Sequence, residues 1–189
     1  MSIDADEQAM GRVLRLPVTS VPGETAALRA EVVEVLRSRR TSLVDEMCSA
    51  VRRAGLAPLL ETGGVALERR VDQGVRMAFA AWADGRSPGA AEVDRVRALG
   101  AAVARAGIPS WRLLSAVQVA ARAGWEYAAE HTLSVAEEAR RPRLAARLVA
   151  ELSVAAMDML GRVEALLALG YGDVQPPRRL APEGVTRGA

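Results

Sequence analysis

The sequence predicts an all-α fold of five to six helices with no sheet. Three observations predict it. Half of the 189 residues are hydrophobic, and Ala, Leu and Val dominate them. Only six residues are aromatic: Phe79, Trp82, Trp111, Trp125, Tyr127 and Tyr171. Ala and Leu favour helices, whereas strands draw on alternating β-branched and aromatic residues. Apolar positions also recur three or four apart over long stretches that Gly and Pro punctuate.

The helices follow in order. Residues 1–22 carry Gly11, Pro17 and Pro22 with mixed polarity and read as a flexible leader. From Glu24 a helical stripe of Leu28, Val32, Val35 or Leu36, Leu43, Met47 and Val51 runs to Ala54. Its early acids, its closing Arg52-Arg53 and the following Gly55 suit the helix dipole and a glycine C-cap. A turn around Pro58 and a break at Gly63-Gly64 come next. The second helix spans about Val65–Ala83, with Leu67, Val71, Val75 (or Gly74), Ala78 and Trp82 inward, and Asp84-Gly85 ends it. Ser87-Pro88 reads as the N-cap and first turn of a third helix, ending at Gly107. Ile108-Pro109-Ser110 opens a fourth, to about Val135. Pro142 opens a fifth, to about Leu169, with Ala145, Val149, Leu152, Ala156, Met159, Val163 and Leu166 inward. Gly170, Gly172, Pro176 and Pro177 are expected to stop it. The expected organisation is therefore a leader over 1–22, a helical domain over 23–170, and a Pro/Arg/Gly-rich tail or linker over 171–189.

Composition excludes several function classes. All the basic residues are arginines, yet the net charge is only +2, and no basic face marks a nucleic-acid surface. Cys48 is the only cysteine, so neither an internal disulfide nor a cysteine-built metal site is available. The polar start, Met1–Glu7, lacks the apolar core of a signal peptide, and no apolar run is long enough for a membrane helix. A cytoplasmic location is expected. Histidine is the usual acid/base at neutral pH, and His131 is the only one. No nucleophile–base order, phosphate loop or metalloprotease motif occurs, so no enzyme activity, no metal and no cofactor are expected.

The last two helices are apolar over more than one stripe and crowded with Ala and Gly. Small residues let helix axes approach closely, as in globin packing or an up-down bundle. A helix apolar on two sides needs two partners. A homodimer is therefore expected through Leu114, Val117, Ala121, Leu152, Ala156, Met159 and Val163. Trp82, Trp111 and Trp125 fall on inward stripes and are expected to meet at the packing centre, where they frame a ligand pocket with Val103. Arginine pairs such as Arg39-Arg40, Arg52-Arg53 and Arg69-Arg70 read as solvated charge. Arg122, mid-helix among alanines, would need Glu151 or Asp158 if buried.

The most informative stretch runs from Leu99 to Leu114. A glycine turn followed by a hydrophobe fits a DNA-binding helix-turn-helix, but the downstream helix is too apolar to face bases. The same stretch resembles the region around the haem-binding histidine of bacterial sensor globins. In that resemblance Val103 takes the histidine's place, and valine cannot ligate iron. Closer still, Val71–Trp125 resembles the N-terminal domain of stressosome co-antagonists of the RsbR/RsbRD type, also found ahead of the output module in PucR/CdaR-like transcription regulators. Gly100, Ala104, Gly107, Ile108, Pro109, Leu113, Leu114, Ala116, Val117, Arg122 and Trp125 carry it. The resemblance implies a globin-like domain of five to six helices without haem. It also implies a signal-input role through ligand or partner binding at a dimer interface, with a downstream output module or regulatory protein as partner. No direct nucleic-acid binding and no membrane partner are expected. Two alternatives stay open: a haem-binding gas sensor using His131, and a small DNA-binding regulator using residues 107–116.

Overall fold

A computed structural model describes residues 22–174. Of the leader expected over 1–22 and the tail expected over 171–189, residues 1–21 and 175–189 lie outside the described residues. The described chain forms seven helices and no strand: α1 Pro22–Ser38, α2 Arg40–Arg53, α3 Ala57–Leu60, α4 Leu67–Asp84, α5 Ala90–Arg105, α6 Ser110–Glu138 and α7 Pro142–Gly172. The all-helical class holds, but the expected five to six helices become seven.

Two of the differences have local causes. The first predicted helix divides at Arg39, whose backbone sits at φ −97° and ψ 13°. Just before it, the Ser38 hydroxyl donates to the Val35 carbonyl at 2.7 Å, a back-bond that competes with the helix ladder. The turn around Pro58 closes into the single-turn α3. The third predicted helix starts at Ala90 rather than Ser87-Pro88. Gly89 is its extended N-cap, and the Glu92 carboxylate reaches back to accept the Gly89 N–H at 2.7 Å.

The family-like motif at the α5–α6 junction makes a corner. Gly107 adopts φ +69°, which a side chain disfavours. Its N–H donates to the Ala104 carbonyl at 3.0 Å, and the Ile108 N–H donates to that of Val103 at 3.2 Å. These bonds satisfy carbonyls that the helix end would otherwise leave open. Pro109 is then extended and caps α6. Tyr171 on α7 donates its hydroxyl to the Ile108 carbonyl at 3.1 Å, tying the corner to the last helix.

α5 and α7 share the most extensive contact in the molecule, followed by α6 with α7 and α2 with α6. Gly100 and Gly170 explain the first. A Cβ on Gly100 would run into the Leu167 carbonyl and lie 3.0 Å from the Tyr171 nitrogen. A Cβ on Gly170 would run into the Arg97 carbonyl and lie 2.8 Å from its Cα. Gly170 was expected to end the last helix. Instead α7 continues through it to Gly172, because the glycine is spent on helix contact rather than on a turn.

The core has two lobes. One gathers α2 to α5, the first half of α6 and the end of α7 around Cys48, Val51, Leu67, Val103, Leu113 and Leu167. The other joins α1 to the far halves of α6 and α7 around Leu28, Val32, Leu36, Val135, Ala136 and Leu148. Phe79 and Tyr127 pack against both. Ion pairs such as Arg40–Asp72, Arg52–Glu68 and Arg97–Asp173 lace the surface between helices. Solvent screens such pairs, so burial rather than charge holds the fold.

Gly100→Ala and Gly170→Ala should each destabilise the fold by about 1–3 kcal/mol, since the added methyl meets backbone that cannot swing aside. Gly74→Ala, also within a helix but with no atom within 4 Å of the new Cβ, should stabilise it by about 0.5–1 kcal/mol. Urea unfolding of the three variants checks the opposite signs.

Candidate functional site

Where the two lobes meet, the core is not filled. A cavity of about 240 Å³ runs along α4 between that helix and α5, α6 and α7. Its lining draws on both lobes: Leu43, Val71 and Leu99 from one, Leu36, Ala128 and Leu152 from the other. Composition causes the gap. Gly74, Ala78, Ala120, Ala121, Gly124, Ala155 and Ala156 face the seam, and small side chains leave space that a core richer in aromatics would occupy. The polar residues of the lining are Arg70, Gln73 and Arg95, besides the indoles of Trp82 and Trp125.

The structure brings some of the expected site residues together. Trp82 and Trp125 line the cavity, but Val103 and Trp111 do not. Val103 is wholly buried in the first lobe, where it packs as core. Trp111 is 63% exposed, so the three tryptophans do not converge. The Trp125 indole N–H donates to the Ser153 hydroxyl at 3.0 Å, a bond that ties α6 to α7. The Trp82 indole nitrogen is buried with no acceptor.

The expected dimer residues are placed mainly inward. Val117, Ala121, Leu152, Ala156, Met159 and Val163 line the cavity, and Leu114 packs against the first lobe. The outer face of α7 presents Ala150, Val154, Met157 and Gly161 instead. Their spacing of four, three and four puts them on one side of the helix.

Arg70 is the residue that sequence reasoning missed. Read as half of a solvated pair with Arg69, it is in fact part-buried on the cavity wall. Its Nη2 donates to the Thr62 carbonyl at 2.8 Å, and its Nε is buried without an acceptor. Burial pushes its pKa below the ordinary arginine value. The available signal was register: Arg70 stands three residues after buried Leu67 and four before Gly74, beside the inward stripe. Arg122 behaves otherwise. It is exposed and pairs with Glu126 one turn on, at 2.9 Å, rather than with Glu151 or Asp158.

His131 lies outside the cavity lining. Its ring stacks on Tyr127 with centroids 4.2 Å apart. Nδ1 sits 2.9 Å from the Tyr127 carbonyl, and Nε2 is 3.4 Å from Arg39 Nη1. Cys48 is buried, and burial pushes its thiol pKa up, away from the reactive thiolate. Among the described residues no His/Cys/Asp/Glu group is placed to hold a metal ion. No helix among them is long and apolar enough to cross a membrane.

Comparison with curated proteins and with solved structures found no match. A family model does match: the N-terminal domain of the RsbT co-antagonist protein rsbRD, over residues 40–176. The match covers most of the chain, which belongs to that family. It starts at the first residue of α2, so α1 stands ahead of the matched region although its Leu28, Val32 and Leu36 build the second lobe.

Single-tryptophan variants should read this geometry. With only Trp111 retained, acrylamide should quench the emission efficiently. With only Trp82 retained, the quenching constant should fall severalfold. Equal constants would contradict the placement of Trp82 as part-buried in the seam and of Trp111 at the surface.

Proposed function

Starting from that membership, we propose that the chain is a non-enzymatic signal-input domain of a bacterial regulator. Its frame is globin-like but does without haem. It reads a small ligand or a partner at the seam between its two lobes and acts in the cytoplasm on a regulatory protein or output module. The single observation that carries this reading is the cavity itself. It is apolar, it lies between two separately packed halves of the core, and α6 and α7 form part of its wall. A ligand there has purchase on the relative position of the lobes, because packed interiors have few ways to yield. The lining holds no acid–base pair with which to run a reaction.

Output passes through a homodimer. Val154 and Met157 on α7 are 57% and 65% exposed, and a face of large apolar side chains between small ones suits a second copy of the same helix. The opposite side of α7 lines the cavity at Leu152, Ala155, Ala156 and Met159. One helix therefore touches both the signal and the interface. Haem ligation by His131 has less support, since that ring lies away from the cavity with both nitrogens near other groups.

Sedimentation at micromolar concentration should give twice the 20.0 kDa protomer mass. Met157→Arg, at an exposed position, should give monomers with an unchanged helical circular dichroism spectrum. A monomeric parent chain would remove the dimer from this reading. Titration with hemin should produce no Soret band that depends on His131; a strong band lost in His131→Ala would restore the gas-sensor alternative.

A further inference from the structure

The arginines that join helices on the surface meet carboxylates, as Arg29 does with Glu151 and Arg40 with Asp72. Arg70 does not. Among the described residues no carboxylate pairs with it, its Nη2 has only a carbonyl, and its Nε is buried with no acceptor. A guanidinium kept partly from water without a counterion is costly, and an anion that enters with a ligand relieves that cost. This cation sits in the wall of a mainly apolar cavity, whose other polar side chains besides the indoles are Gln73 and the exposed Arg95.

The cavity also has a direction. Val71, next to Arg70, belongs to the first lobe, and Trp82 packs against the second. Arg70 and Trp82 are twelve positions apart on α4, which places them about 18 Å apart along the helix axis. Between them Val75, Ala78 and Phe79 line the same cavity as Met159, Ala156 and Ala121. Trp82 supplies a second buried donor without an acceptor at the far end.

We infer that the cavity takes a free long-chain carboxylate, its head group on the Arg70 guanidinium and its hydrocarbon along α4 toward Trp82. This rests on the reading of the seam as the input site and names the class of signal. A carboxylate matches the planar fork of a guanidinium. Its single charge balances the single part-buried cation. A phosphate dianion would carry uncompensated charge into the lining, since Arg95, the other cation there, is exposed. The elongated apolar wall selects a chain over a compact ring.

The test uses the full chain and three probes with the same tail below their micellar concentrations: laurate, dodecanol and dodecyltrimethylammonium. Binding is followed by calorimetry and by tryptophan emission. Laurate should bind one per chain, about tenfold or more tighter than the alcohol, as expected for a hydrogen bond to a charged group. The ammonium should bind weakest. Arg70→Leu should bring laurate down to the alcohol's affinity and leave the alcohol unchanged, and Arg70→Lys should keep part of the preference. The probe series uses the parent chain, so it decides even if a variant fails to fold. Equal affinity for laurate and dodecanol overturns the carboxylate seat while leaving the seam as an input site for neutral apolar molecules. Failure of all three probes to bind overturns both.

Discussion

The backbone contact between α5 and α7 is the constraint on which the remaining architecture depends. Gly100 faces the Leu167 carbonyl and Gly170 faces the Arg97 carbonyl, so the two helices meet with no side chain between them at these points. Such proximity fixes where the end of α7 can lie relative to α5. The Tyr171 hydroxyl then reaches the Ile108 carbonyl, and Arg97 reaches Asp173 at 2.7 Å. The corner at Gly107 is thereby tied to α7 at Ile108, and the middle of α5 is tied to the same end of α7 through Arg97. The motif that carries the family likeness is thus a device for building this junction: glycine for contact, glycine for the left-handed turn, proline to restart the chain.

The same shortage of bulk has a second consequence at the other side of α7. Helices made of Ala and Gly can approach closely where they touch, but they cannot fill the space where they diverge. The seam between the lobes is such a place, and it stays open because Phe79, Trp82 and Trp125 are the only aromatic side chains in its lining. Filling it from outside is a cheaper route to a tighter core than any rearrangement of the packed lobes, since transfer of apolar surface from water supplies the free energy. At this place the inner face of α7 lines the gap, while its outer face carries Val154 and Met157 to the surface.

The chain belongs to the co-antagonist family, a family of regulatory domains. The extent of the match sets α1 apart. That helix precedes the matched residues, yet it seals the second lobe with Leu28, Val32 and Leu36, and Arg29 pairs with Glu151 on α7. The lobe that bounds one end of the cavity is therefore built partly from chain beyond the family's shared segment.

Much of the fold was legible in the sequence, because helix formation is local. Apolar spacing located α4, α6 and α7 to within a few residues, and Gly85 and Gly107 marked true ends, each with a positive φ. The resemblance around Gly100–Trp125 pointed to the right family from those residues alone. The failures share one cause. Gly170 looks like a terminator until the Arg97 carbonyl is seen against it. Val103 and Trp111 stand on plausible stripes, yet one is core and the other is exposed. Arg70 looks like half of a solvated pair, and only the meeting of α4 with the loop at Thr62 takes it from water. Periodicity says which face of a helix turns inward, because that depends on the residue's own turn. It cannot say whether the inward face meets packed side chains, a neighbour's backbone or a gap, because that depends on residues far away in the chain.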